Sequence, residues 1–331
     1  MATTTVMHTL LVPEKSQDQQ GIFYQDVIRG LSAKNKFLEA KYFYDAEGDR
    51  LFQQIMQLQE YYPTACEMEI LQGQSAAICK TILDSTTHFD VVELGAGDAT
   101  KSIYLLRELL KGKTDFTYYP VDISGNVIAQ LERSLPQQLP GLRMQGMHGE
   151  YFDMLREVSI LSGRNKVVLC MGGNIGNFTP TEARQFCRQL RNYLQPGDLV
   201  IIGFDLKKHP QVILNAYNDR SGVTKEFNLN LLKRINRELG GNFDTSKFDH
   251  YATYDPGTGA CKSYLVSLEV QQVKVGNKLF EFGLHETMYM EISQKYSIEE
   301  TDCLATQSGF GPLADFYDSR SWFADCVWHC I

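Results

Sequence analysis

Four short segments carry residues whose types and order suit the holding of a small ligand. The first is Glu93-Leu-Gly-Ala-Gly97, where glycines at 95 and 97 follow an apolar run and let the backbone come close to a bound group. A dinucleotide loop G-x-G-x-x-G would need a third glycine at position 100, and Thr100 stands there, so no pyrophosphate cradle is formed. The second is Asp122, at the end of Tyr119-Pro-Val-Asp-Ile123, where a carboxylate can accept from both hydroxyls of a ribose. The third is Gly149-Glu-Tyr151, an acid and an aromatic fit for an exocyclic amine and a flat ring. The fourth is Gly172-Gly-Asn-Ile-Gly-Asn-Phe-Thr-Pro180, in which Asn177 can hold an acceptor. The first, second and fourth also fit a plainer reading: a tight strand-to-helix turn, a surface Asp, a turn-forming Asn.

The elements that must carry these segments alternate. Asp90–Leu94, 117–123, 142–147, 166–171 and 198–204 read as strands, the third the weakest. They are short and apolar without clear alternation, as in a parallel sheet covered on both faces. Helices fill the gaps. Thr179-Pro-Thr-Glu182 predicts a capping box with Pro180 at the first helical position, and Ser297-Ile-Glu-Glu300 opens a late helix in the same way. This order predicts a doubly wound α/β fold, with the ligand segments at the carboxyl edge of the sheet. Residues 22–75 read as helical. Residues 207–295 read as two helices followed by strands, with a hairpin at Gly276-Asn277. Thr287–Ser293 reads as a strand that places Tyr289, Glu291 and Ser293 on one face and Met288, Met290 and Ile292 on the other.

Composition narrows the function classes. Of 331 residues 43% are hydrophobic and 22% charged, as in a globular protein. Lys and Arg number 32 against 40 Asp and Glu, a net charge of −8, which disfavours nucleic acid and anionic membranes as partners. No apolar run reaches the ~20 residues of a membrane span, and residues 1–13 lack the features of a signal peptide. The eight cysteines form no CxxC pair and read as reduced thiols of a cytoplasmic protein. Cys326-Val-Trp-His-Cys330 reads as a C-terminal strand in preference to a zinc site, and no metal is expected.

Glu93 at a strand end followed by G-x-G is the pattern of S-adenosylmethionine-dependent methyltransferases, whose loop lies against the amino-acid part of the cofactor. Longer segments make the likeness specific. Tyr42-Phe-Tyr-Asp-Ala-Glu-Gly-Asp-Arg-Leu-Phe52, Glu60-Tyr-Tyr-Pro-Thr64, Ala216-Tyr-Asn-Asp219 with Gly222-Val-Thr224, Ile235-Asn-Arg-Glu-Leu239, and Glu291-Ile-Ser293 with Lys295 resemble the histidine-specific methyltransferases of ergothioneine biosynthesis. The resemblance covers most of residues 23–300. It implies a Rossmann-like class I methyltransferase sheet; the order of elements assigns that domain 65–206 plus 296–331 and a second, α+β substrate-binding domain 22–64 plus 207–295, and the polar stretch Glu14–Gly21 reads as part of a mobile leader over 1–21. It implies that Glu93, Gly95, Gly97, Lys101, Asp122, Glu150, Tyr151 and Gly172 bind S-adenosylmethionine. It further implies that Tyr61, Asn177 and Tyr217 surround the amino and carboxylate groups of the substrate, that Glu291 and Ser293 hold an imidazole, and that Tyr44 lies near the amine as the catalytic polar group.

The implied activity is Nα-methylation of a free amino acid, L-histidine first, with release of S-adenosylhomocysteine and no metal, by a monomer or weak homo-oligomer. Two other readings stand beside it: the same chemistry on another aromatic amino acid such as a tryptophan derivative, and a non-catalytic cofactor-binding protein. Ser263 departs from the family pattern, in which a Met is common near that position and would pack on the imidazole.

Overall fold

The computed structural model describes residues 15–331. Its central sheet has seven strands in the order β11-β12-β5-β4-β1-β2-β3. These are β1 Phe89–Leu94, β2 Tyr118–Asp122, β3 Met147–His148, β4 Asn165–Cys170, β5 Leu199–Asp205, β11 Phe310–Tyr317 and β12 Phe323–Cys330. The first five run parallel, and β12 runs antiparallel to both β5 and β11. This is the doubly wound α/β fold with an antiparallel edge. The strands lack alternation because both faces are covered. Every residue of β1 and of β5 is buried. Val91, Val167 and Ile201 enter one apolar cluster with Ile70, Ile78 and Ile82 of helix α3 (Tyr62–Ser85). Val92, Val168 and Ile202 enter another with Cys187 and Leu190 of α7 (Pro180–Asn192).

Both predicted capping boxes form. Thr179 and Glu182 exchange bonds at the start of α7, and Ser297 and Glu300 at the start of α10 (Ile298–Gln307). The remaining sheet-side helices are α4 (Ser102–Lys111), α5 (Gly125–Gln138), α6 (Tyr151–Leu161) and α8 (Pro210–Tyr217). The third strand is shorter than predicted: only Met147–His148 pair regularly, with an isolated bridge from Met144 to Tyr118. Gly146 donates its N–H to Glu132 (3.1 Å) and so leaves the ladder there. Strand β11 was not foreseen at all.

The chain divides into two compact units at positions other than those expected. One comprises Met1–Ile55, Ser221–Tyr251 and Ser263–Glu291; the other Met56–Arg220, Ala252–Lys262 and Ile292–Ile331. The expected boundary at 64/65 falls inside α3, and α8 belongs with the sheet because Ala216 is part of the α3-side core. The expected leader lies outside the described residues for 1–14, and Lys15 already begins α1 (Lys15–Ser32).

The non-sheet unit contains α1, α2 (Ala46–Met56, with its last residue assigned to the other unit), α9 (Val223–Leu239) and the predicted hairpin of β8 (Gln271–Val275) with β9 (Lys278–Phe282). Strands β6 (Phe248–Asp255), β7 (Ala260–Ser267) and β10 (Thr287–Gln294) form a three-stranded sheet in the order β10-β7-β6. In β10, Met288, Met290 and Ile292 are buried while Tyr289, Glu291 and Ser293 are half-buried, as the alternation predicts. Main-chain bonds between Leu38 N and Tyr289 O and between Tyr289 N and Lys36 O, both 2.9 Å, fix β10 to the segment after α1.

Candidate active site

In the sheet unit, the turn after β1 takes the left-handed backbone that its glycines permit, with φ +75° at Gly95 and +54° at Gly97. A Cβ at Gly95 would lie 2.7 Å from the Tyr151 hydroxyl, whereas one at Gly97 would meet nothing within 4 Å. The loop is therefore closed beneath and open above. Asp122, at the end of β2, accepts from Gly97 N (3.2 Å) and Ser124 N (2.8 Å), one bond to each carboxylate oxygen. It remains half-buried, with lone pairs on both oxygens for a ligand diol. Glu150 is exposed just before α6. Gly172 and Asn177 lie exposed in the turn after β4, with φ +83° at Gly172.

Three of the expected cofactor residues make contacts within the protein. The Glu93 carboxylate turns inward: it accepts from the Tyr118 hydroxyl and is buried, not lying in the open loop. Burial, with Tyr118 and Ser102 as opposing hydrogen-bond donors, pushes it up to about 7. The Lys101 ammonium pairs with the buried Glu67, whose other oxygen accepts from Gly172 N (2.6 Å), so Lys101 braces the loop after β4. Burial alone would lower Lys101, but the Glu67 charge raises it. The half-buried Tyr151 brings its hydroxyl against Gly95, and burial pushes its phenol up to about 12. Beside Glu67 and Lys101 stands Asp325, fully buried and with no hydrogen-bond partner among the described residues on either oxygen. Burial and Glu67 hold it well above the usual carboxylate range.

The same unit brings together three of the expected substrate residues. The ring of Tyr61 stands edge-on to that of Tyr217, centroids 6.0 Å apart, and the Tyr217 hydroxyl lies 2.7 Å from Ser293 Oγ. Gly176, next to Asn177, packs on the same strand end: its Cβ position is 3.0 Å from Gln294 O and 3.7 Å from Ser293 Oγ. Behind them lies a polar layer. Lys295 Nζ, with a fully buried side chain, donates to Tyr217 (2.8 Å) and Ser293 (2.7 Å) and pairs with Asp205 (2.6 Å). Asp205 also accepts from the Tyr62 hydroxyl (2.9 Å) and from Lys208 (2.5 Å). Burial would raise Asp205, yet the two ammonium groups hold it below the usual carboxylate range, while burial pulls Lys208 down.

Glu67, Asp205, Lys208, Lys295 and Asp325 were missed as site residues. Glu67 could have been found as an acid at the helical spacing of Pro63, Ile70 and Leu71, where an apolar residue belongs. Asp205 ends β5, Lys208 and Lys295 follow strands and Asp325 lies inside β12; Lys295 belongs to a quoted family motif, but nothing in the local sequence assigns any of them a place in the site.

In the other unit, Asp45 accepts from Gly48 N (2.8 Å) and Asn230 (2.8 Å) and pairs with Arg237 (2.6 Å). A Cβ at Gly48 would collide with Phe43 O at 1.8 Å. These contacts explain the Tyr-Asp-x-x-Gly motif: they fold the turn that presents Tyr44. Its side chain is exposed, edge-on to Phe52 (5.7 Å) and Phe227 (5.8 Å). Glu291 is half-buried on the face of β10 that carries Tyr289. On β7 Tyr264 packs on Tyr289 (5.8 Å), so Ser263, buried and pointing to the opposite face, does not join the wall that carries Glu291.

A family of histidine-specific, S-adenosylmethionine-dependent methyltransferases matches residues 23–330. The chain belongs to this family. It is an S-adenosylmethionine-dependent N-methyltransferase, and the open loop over Gly97 with Asp122 beside it suits that cofactor. Among relatives of these methyltransferases, the histidine N-alpha-methyltransferase of Mycolicibacterium smegmatis is 33% identical, covering 86% of this chain and 88% of that protein. The histidine N-alpha-methyltransferase of Mycobacterium tuberculosis is 34% identical, covering 82% and 84%. A 4-dimethylallyltryptophan N-methyltransferase of Trichophyton verrucosum is more distant, at 26% over 90% of this chain and 88% of that protein. Among the described residues no helix is long and apolar enough to cross a membrane, and no cluster of three metal-ligating side chains occurs.

Proposed function

We propose that this methyltransferase acts on the α-amino nitrogen of free L-histidine, adding up to three methyl groups. The observation that carries the reading is the strand Glu291-Ile-Ser293: Glu291 and Ser293 share one face, and the Ser293 hydroxyl is tied to Tyr217 beside Tyr61. A carboxylate and a hydroxyl on one face suit the two nitrogens of an imidazole. The position of Ser263 behind the strand removes the main reason to prefer a bulkier tryptophan derivative, because its small side chain does not enlarge that wall.

Gly95, Gly97, Asp122, Glu150 and Gly172 would hold S-adenosylmethionine, with Lys101 and Glu93 supporting from beneath. When bound, the cofactor supplies a methyl group on a sulfonium centre, electrophilic toward a neutral amine. The protein's part is then to orient the amine and to hold it unprotonated. α-Amines have a pKa near or above neutrality, and an amine held against the paired rings of Tyr61 and Tyr217 has it lowered by the exclusion of water. In this reading Tyr44 is the polar group nearest the amine and passes its proton outward. Aromatic faces tolerate the growing trimethylammonium. Alignment of the reactants contributes up to roughly 7–11 kcal/mol.

The test is a mass-spectrometric screen of the free amino acids with S-adenosylmethionine. Histidine gaining one, two and three methyl groups supports the proposal. A tryptophan derivative as the preferred substrate, or cofactor binding with no methylated product, overturns it.

A further inference from the structure

We propose that Glu67 is the positioning residue of the cofactor site: it holds the Lys101 ammonium and the turn after β4 in one fixed relation, so that both lie under the amino-acid part of the cofactor. The inference deepens the cofactor placement above and rests on it. It does not depend on which amino acid is methylated.

Glu67 lies on α3 with its side chain fully buried. Its two oxygens serve two different turns. One pairs with Lys101 Nζ, at the end of the turn after β1. The other accepts from Gly172 N at 2.6 Å, at the start of the turn after β4. That second turn has little to hold it locally. Gly172 and Gly173 both take a left-handed backbone, φ +83° and +68°, and neither has a side chain to pack. An acid 105 residues away is its anchor. The sheet leaves room for that acid. Gly203 stands inside β5, where glycine weakens a strand and marks a close approach. A Cβ there would lie 2.5 Å from Glu67 Oε1.

The balance of charge makes Glu67 the partner that matters. Three buried acids, Glu67, Glu93 and Asp325, stand near the Lys101 ammonium. One ammonium cannot neutralise three carboxylates, and burial pushes Glu93 up to about 7 and holds Asp325 well above the usual range. Neither carries a full negative charge at neutral pH, so the ion pair belongs to Glu67. A lysine ammonium has three N–H donors. Among the described residues Lys101 gives one to Glu67 and none to Asp325. Its side chain is 19% exposed while that of Glu67 is fully buried, so Lys101 is where this charge reaches the surface. The remaining donors suit an anionic group lying above, and the carboxylate of the cofactor's amino-acid part is such a group. Without the charge on Glu67, the ammonium would ionise Glu93 or Asp325 behind it and turn inward.

The experiment measures by calorimetry the affinity of S-adenosylhomocysteine and of methylthioadenosine, which keeps the adenosine half and lacks the amino-acid part. The proteins are the wild type, Glu67→Gln and Glu67→Asp. No amino-acid substrate is present, so failure here is separate from failure of the histidine reading. The wild type is expected to prefer S-adenosylhomocysteine by more than about 100-fold. Glu67→Gln keeps an oxygen for Gly172 N and removes the charge. Its preference should fall about 10–100-fold, the range of one hydrogen bond to a charged group, with methylthioadenosine affinity within about threefold of the wild type. Glu67→Asp keeps the charge but is one methylene too short to span Lys101 and Gly172 N together. Its preference should fall about tenfold or more, and it decides the matter if Glu67→Gln fails to fold. A merely structural role would weaken both ligands together. A folded Glu67→Gln with the full preference, or with both ligands weakened equally, overturns the role of Glu67. Where only Glu67→Asp folds, an unchanged preference in it does the same. A wild type that binds the two ligands equally, or binds neither, overturns the cofactor placement and this inference with it.

Discussion

Glu93 offers the sharpest check on the placement of charge beneath the glycine loop. In the unfolded chain a glutamate titrates near its ordinary value of 4.5, whereas in the folded protein burial pushes Glu93 up to about 7. Between these values the folded state holds a proton that the unfolded state has released. Stability must therefore fall as pH rises from about 4.5 to about 7, and the full cost is present above that range. The interval of about 2.5 units corresponds to about 3 kcal/mol. Glu93→Gln removes the titration but keeps an oxygen to accept from Tyr118. The assay is urea unfolding of both proteins without cofactor across pH 4.5–8, read as the difference in unfolding free energy. Other buried acids are common to the two proteins and largely cancel. The variant should gain about 3 kcal/mol on the wild type between the ends of that range. A difference that stays constant within about 1 kcal/mol would refute the inward, desolvated placement of this carboxylate.

Three further outcomes are expected. Glu291→Ala should lower kcat/KM for histidine about 10–100-fold, with S-adenosylhomocysteine affinity changed less than about threefold; equal loss of both in binding measurements would contradict its assignment to the imidazole. Gly95→Ala forces a left-handed backbone on alanine, at about 1–2 kcal/mol, and places a methyl 2.7 Å from the Tyr151 hydroxyl. It should lower both the melting temperature and cofactor affinity, and a variant with wild-type cofactor affinity would mean the loop is not the cofactor's bed. Of the eight cysteines Cys303 alone is exposed, and burial pushes thiols such as Cys66 and Cys187 up to about 12. A thiol reagent should modify one cysteine rapidly in the native protein and eight after unfolding, and several fast thiols in the native state would contradict this packing.

What could be read from the sequence was what local chemistry specifies. The capping boxes at Thr179 and Ser297 formed as written, because a cap is decided within four residues. The alternation in Thr287–Ser293 placed Glu291 and Ser293 correctly on one face, because a strand's period is fixed by its backbone. The long tyrosine-rich and Glu-x-Ser motifs identified the family. Tertiary structure alone decided the rest. The partners of Glu93 and Lys101 come from distant positions: Tyr118 on the neighbouring strand, Glu67 on α3. Strand β11 gains its place only by pairing with β12, which no short window records. Asp205 and Tyr217 lie 90 and 78 residues before Lys295 in the chain, yet both contact its buried ammonium. Burial removes water as the alternative partner, so the direction of each hydrogen bond there depends on all the others, and no segment of sequence holds that information by itself.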